Sequence, residues 1–137
     1  MENRFDLAAA VIGAVVTPLI GGVTPLMIIL LYIMGLDIVS GVLCGITGVS
    51  HKTHSGSLTS SAMFRGLVKK AAIFAVIGLG YQLEAVTNIA AIRDGVVLMY
   101  IAEEAISCTE NLGLLGVNIP APIKKAIEVL NGEHKHT

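Results

Sequence analysis

This sequence has little charge. Of its 137 residues only 14% are Asp, Glu, Lys or Arg, against 54% apolar, and the mean hydropathy is +0.79. So little polar surface argues against a soluble globule and for a membrane protein, with length for one domain. A basic surplus is missing too: the net charge is -1, and the few Lys and Arg fall between apolar segments instead of lining one helical face. That speaks against nucleic acid as a partner. There are two cysteines, Cys44 and Cys108, each in an apolar segment, so neither a disulfide framework nor a thiolate metal site is indicated. Met1 to Asp6 lacks the positive start of a secretory signal, and the apolar run behind it exceeds a signal's core, so it is expected to remain in the membrane. No Ser or Cys has a base beside it in sequence, and no Gly-rich loop ends as a phosphate cradle does; an enzyme is not expected. His51 and His54, and separately His134 and His136, have ligand spacing but sit in polar stretches where solvated histidines are the rule. Neither a metal nor another cofactor is expected.

What is present is a long apolar run. From Leu7 to Ser50 the single formal charge is Asp37. As a helix this stretch would reach about 66 Å, against a bilayer core of about 30 Å, so it can cross twice. Gly21-Gly22-Val23-Thr24-Pro25 is the break, because paired glycines disfavour helix and a residue before proline is pushed out of the α region. The sequence thus predicts an all-α integral membrane protein with three to four membrane-embedded helices, at about 4–20, 25–46, 66–91 and 95–112. A polar, solvated loop is expected at 48–65, with Ser60 or Ser61 capping the helix after it. The membrane domain would run 1–118. A cytoplasmic amphipathic tail, 119–137, would carry a short helix from Pro122 to Leu130, ended by Asn131-Gly132. Its Ile123, Ile127 and Leu130 would face the membrane surface, and Lys124, Lys125 and Glu128 would face water.

The basic residues orient the chain. With four spans, Arg4, Lys52, Arg65, Lys69, Lys70, Lys124, Lys125 and Lys135 share one side and Arg93 alone lies on the other. Such a bias makes the loop and both termini cytoplasmic in a multi-pass protein of the cytoplasmic membrane. With only three spans, the first helix being re-entrant or interfacial, Arg4 moves to the other side and the bias still places loop 48–65 and the C-terminus in the cytoplasm. Arg65, Lys69 and Lys70 are expected at the interface, their heads snorkelling to lipid phosphate.

Asp37 falls near mid-membrane. An Asp at a helix centre costs about 3 kcal/mol on insertion scales, while the Leu, Ile and Val of its segment return about 5 kcal/mol together. That span inserts without a partner for its acid. Asp37 is then expected to face other helices or a water-filled path, or else to be protonated and bonded to a neighbour such as Ser40. Gly41 and Gly45 on the same segment, and Gly13 in a small-residue row on the first helix, are candidate helix-packing positions. The fourth segment gives the opposite sum, because its strong inserters return about 2 kcal/mol while Glu103 and Glu104 would cost about 5. Tyr100, Glu103, Glu104, Ser107, Glu110 and Asn111 recur at helical spacing and form a polar stripe. Either that stripe lines a lumen between helices or the helix lies at the interface with its acids in water.

At these residues the chain resembles the small phage lysis holins, a family that also includes toxin-secretion holins of Gram-positive bacteria. The resemblance runs from Gly21 to Leu130. It is carried by Gly21-Gly22, by Asp37-Ile38-Val39-Ser40-Gly41, and by Leu58-Thr59-Ser60-Ser61 followed by Arg65 to Lys70. Tyr100 to Ser107 with Glu110-Asn111, and Gly116 to Pro120, complete it. Two positions depart from the family's pattern: Ile38 stands where an aromatic is common, and Glu103 where Asn is usual. The resemblance implies a homo-oligomer in the cytoplasmic membrane that permeabilises it so that an endolysin or a secreted toxin can leave. The competing readings are a small four-helix proton-coupled transporter and a passive membrane assembly subunit.

Overall fold

The computed structural model describes residues 2–133, and all of its regular secondary structure over them is helix: α1 (Glu2–Ile20), α2 (Pro25–Ile46), α3 (Ser60–Thr87), α4 (Ile92–Leu114) and α5 (Ala121–Glu133). His134, Lys135 and His136 lie outside the described residues. Two helices, α1 over Asn3–Ile20 and α2 over its whole length, are long and apolar enough to cross a membrane.

Each boundary has a local cause. Thr24 caps α2, its hydroxyl accepting from Met27 N at 3.4 Å, and Pro25 sits in the first turn, where its missing N–H costs nothing. Thr59 caps α3 by accepting from Ala62 N at 3.2 Å, the role expected of Ser60 or Ser61. With that cap α3 starts at Ser60, six residues before the expected position 66. It stops at Thr87, short of the expected 91, because Asn88 adopts a left-handed conformation (φ 54°) and ends the helix. Ala91 is also left-handed (φ 66°) and brings no capping side chain. Glu84 of α3 supplies the cap to α4 instead, its Oε2 accepting from Arg93 N at 3.1 Å.

Helices α2, α3 and α4 form the bundle. Ser40 and Cys44 of α2 meet Cys108 and Asn111 of α4, while Met27 and Leu30 share the core with Val97, so these two helices run in the same direction. The chain returns between them through α3, which runs the opposite way. Met27, Leu30, Met34, Ile73, Ile77, Val97 and Ile101 fill the half of the bundle nearest Gly21. Charged and polar groups occupy the half nearest the 47–59 loop.

The outlying helices attach differently. α1 touches the bundle through its C-terminal end, where Ile20 is buried; the rest of its apolar surface, from Phe5 to Leu19, is exposed or half-buried. Its last carbonyls are held from outside. Gln82 Nε2 donates to Leu19 O at 3.2 Å, and Arg93 Nη1 donates to Gly21 O at 3.0 Å and Ile20 O at 3.2 Å. Those donors satisfy groups that a helix end leaves unpaired, and the guanidinium sits at the negative pole of the helix. α5 turns back along α4, and its Leu130 packs on the bundle core. It continues through Asn131-Gly132 to Glu133, past the expected stop. The apolar face expected to rest on the membrane surface is therefore divided: Leu130 is docked and Ile127 half-buried, while Ile123 is exposed.

Candidate functional site

Asp37 is buried, and it is not alone. Lys70 of α3 donates to its Oδ2 at 2.9 Å and also to Glu104 Oε2 on α4, so one ammonium bridges two carboxylates. Asn111 Nδ2 donates to Asp37 Oδ1 at 3.0 Å and to Ser40 Oγ at 3.1 Å, and Ser40 Oγ donates on to Asp37 O at 3.2 Å. Cys44 Sγ donates to Asn111 O at 3.2 Å, which ties the same turn of α4 to α2 a second time. Asp37, Ser40, Glu104 and Asn111 are all at most 5% exposed. Asp37 thus faces α3 and α4 and takes partners from both, although its own span could carry it alone. One expectation is corrected. Lys70 does not snorkel to the interface, its side chain being 13% exposed and inside the network.

The loop completes the charge balance. Lys52 Nζ lies 3.8 Å from Asp37 Oδ1, so Asp37, Glu104, Lys70 and Lys52 sum to zero. What brings Lys52 there is the fold of the 47–59 loop. Leu58 N donates to Gly45 O at 2.9 Å and Ser50 N to Gly56 O at 3.0 Å, so the loop folds back onto α2 as a compact cover. Gly45 makes that possible, because a Cβ there would stand 2.9 Å from Leu58 Cα. Gly41 faces Asn111 and Lys52, its missing Cβ position lying 3.6 Å from Asn111 Nδ2. Gly13 meets nothing within 4 Å on the outlying α1.

Above the network lies a cleft of about 440 Å³ between α3 and α4, open at the loop end. Room for on the order of ten waters makes it a polar vestibule. Lys52, Arg65, Lys69 and Lys70 line it together with Asp37, Glu103, Glu104 and Glu110, four charges of each sign. Lys69 Nζ donates to Glu103 Oε1 at 2.7 Å on its outer side, and His51 Nε2 is 3.9 Å from Glu110 Oε2 at its mouth. Arg65 is exposed and donates to Ser61 Oγ at 3.2 Å.

The stripe expected on α4 resolves into two faces. At about 100° per residue, Glu104, Cys108 and Asn111 share one face and Glu103, Ser107 and Glu110 the next. The first turns to α2, and the second lines the cleft. Tyr100 belongs to neither, since it packs against the apolar core. The residues not singled out beforehand are Lys52 and, as a buried partner, Lys70. The signal for both was in the composition of the membrane segments: three acids inside apolar helices require cations of comparable depth.

Known proteins resemble this chain over most of its length. It is 31% identical to the uncharacterized protein BH0965 of Halalkalibacterium halodurans, over 97% of this chain and 98% of that one. It is 30% identical to the uncharacterized protein Lin0175 of Listeria innocua, over 99% and 96% of the two chains. It is also 32% identical to a probable holin of Bacillus phage phi105, over 65% of this chain and 67% of the phage protein. No solved structure matches. The sequence matches the bacteriophage holin family over residues 14–132, which takes in the bundle, its loop cover, nearly all of α5 and the C-terminal end of α1, and the chain belongs to that family of non-enzymatic membrane proteins.

Proposed function

We propose that the protein is a holin: it accumulates as a homo-oligomer in the cytoplasmic membrane and permeabilises it, so that an endolysin or a secreted toxin can exit. The observation that carries this reading is the outward cleft with four charges of each sign, set in a bundle whose other surfaces are largely apolar. Its floor is Asp37, nine residues before the end of α2 at Ile46 and so about 13 Å below the loop end of that span. α2, α3 and α4 cross the bilayer, α1 is the fourth membrane-embedded helix, and the loop and C-terminus are cytoplasmic on the distribution of basic residues. A single copy pairs its buried charges internally and can accumulate without leaking. Copies that bring their clefts together form a shared water path, a state reached only at high surface density.

Induction in a bacterial host tests this. Membrane potential should collapse on induction, and lysis should require a co-expressed cell-wall hydrolase. Glu104→Leu removes one acid bridged by Lys70 and should shift the onset of dye leakage and lysis; unchanged timing in a normally accumulated variant removes the cleft from the mechanism. A proton-coupled transporter is the second reading. It is favoured by the apolar plug of Met27, Leu30, Ile77 and Val97, which closes the network from the Gly21 end, and it would leave the membrane potential intact.

A further inference from the structure

Ala102 is 2% exposed, although it points away from both of α4's neighbours in the bundle. It lies two residues before Glu104, about 160° round the helix from the side that turns to α2, while α3 and the cleft take the opposite flank. Of the helices packed on α4, α5 is the one left to cover it. Leu98, Ala105 and Thr109 flank Ala102 on that side and are half-buried. Leu130 of α5 reaches the core cluster that holds Val97 and Ile101. The docked α5 therefore runs deep. Ala102 is twelve residues before the end of α4 at Leu114, about 18 Å of helix. In the membrane placement proposed above, on which this inference rests, that level is the middle of a hydrocarbon core about 30 Å thick. Docked there, α5 carries Glu128 two residues before Leu130 and Asn131 one residue after it, both exposed. The polar cleft does not shelter them, since it opens between α3 and α4 and no described residue of α5 lines it.

A carboxylate at mid-membrane is costly, and Glu128 is too short to snorkel from that depth as Lys124 and Lys125, nearer the surface, can. Docking offsets little of this cost in a bilayer, because the apolar face of α5 exchanges lipid for side chains that are equally oily. We propose that α5 has two seats: the Ala102 face of α4 while α4 is outside the hydrocarbon, and the cytoplasmic surface of the membrane once α4 crosses. On that surface Ile123, Ile127 and Leu130 dip into the acyl boundary, Glu128 reaches water, and Lys124 and Lys125 meet lipid phosphate. Ile123, 48% exposed in the docked seat, gains cover by the move. The face left behind suits lipid: Leu98, Ala102 and Ala105 are apolar, and Thr109 Oγ1 donates to Ile106 O of its own helix at 2.9 Å. α5 thus shields the outer side of α4, the segment least able to enter lipid alone, and leaves as that segment crosses.

The chain contains no tryptophan, so a single one on α5 reports the depth of that helix. Val129, 53% exposed, is the site for it. Full-length Val129→Trp chains are reconstituted in vesicles of phosphatidylcholine and phosphatidylglycerol, brominated either near the ester groups or near the chain ends. Released, α5 lies about 10 Å or more from the bilayer centre, and the shallow bromines should quench best; docked, it lies within about 5 Å of the centre, and the deep ones should. Strongest quenching by the deep bromines overturns the proposal. Ala126→Trp, at a second exposed position, repeats the reading should Val129→Trp fail to fold. Adding Glu128→Leu removes the acid that drives release and should shift quenching toward the deep bromines; no shift overturns the proposal as well. Ile89→Cys tests the placement separately. Ile89, 60% exposed between α3 and α4, lies outside the cell if both cross, and the native Cys44 and Cys108 are buried. An impermeant thiol reagent added to intact cells should label Ile89→Cys. Labelling together with deep quenching sinks the second seat alone, whereas no labelling sinks the membrane placement and this inference with it.

Discussion

The two halves of the bundle are held together by different physics. Near Gly21, Met27, Leu30, Ile73, Ile77 and Val97 interlock with no polar partner among them. Near the loop, Asp37, Lys70, Glu104, Asn111 and Ser40 join the same three helices through directed bonds. In the membrane placement proposed above, the apolar half gains little from leaving its solvent, which is as oily as its side chains; close packing does the work there. Such contacts tolerate sliding of one helix along another. The charged half does not, because moving α4 by one turn, about 5.4 Å, would separate Glu104 from Lys70 and Asn111 from Asp37. Register thus comes from the loop half and bulk adhesion from the Gly21 half.

Substitutions can break that division. Lys70→Met should have the largest effect, since it strands buried Glu104 and leaves Asp37 only Asn111 and Lys52; a loss of about 3–5 kcal/mol is the usual scale for half of a buried ion pair. Thermal unfolding of the purified chain in detergent would read it. Lys70→Met should fall well below wild type, and a wild-type melting curve would mean that the network does not hold the bundle. Leu30→Ala, in the fully buried centre of the apolar half, should cost about 2 kcal/mol, the low end for core truncations, because the lipid reference removes much of the transfer term. A cost above that of Lys70→Met would reverse the ranking of the two halves. Gly45→Ala should be mildest, about 1 kcal/mol, by pushing the loop at Leu58 away from α2. Its readout is local: faster proteolytic nicking of the 47–59 loop with nearly unchanged melting, and no change in nicking would show that the loop is not seated on Gly45.

Much of the helical layout was legible in the sequence because its causes are local. Gly21 to Pro25 breaks the long run through backbone sterics, and α2 spans Pro25–Ile46 as its apolar length requires. Lys70 was harder, and the reason is a single boundary. With a helix expected to start at 66, Lys70 lies only about 6 Å into it and reads as an interface cation. Thr59 caps the helix six residues earlier, about 9 Å of helix, which carries Lys70 down to the level of Asp37. Likewise a stripe on α4 could be read from spacing, but which side met α2, which met the cleft and that Tyr100 met the core depended on helices far away in sequence.

By itself the sequence determined the composition, the apolar segments, the break between the first two, and the presence of acids too costly to leave bare in lipid. Each of these follows from one residue or one short window and its transfer cost. Only the tertiary structure decided which cation answers which acid, that Gly45 seats the loop carrying Lys52, and that Lys69 and Glu103 are left facing outward. Those are distances between residues more than thirty positions apart or on separate elements, and they are set by how three helices settle side by side; no local preference encodes them.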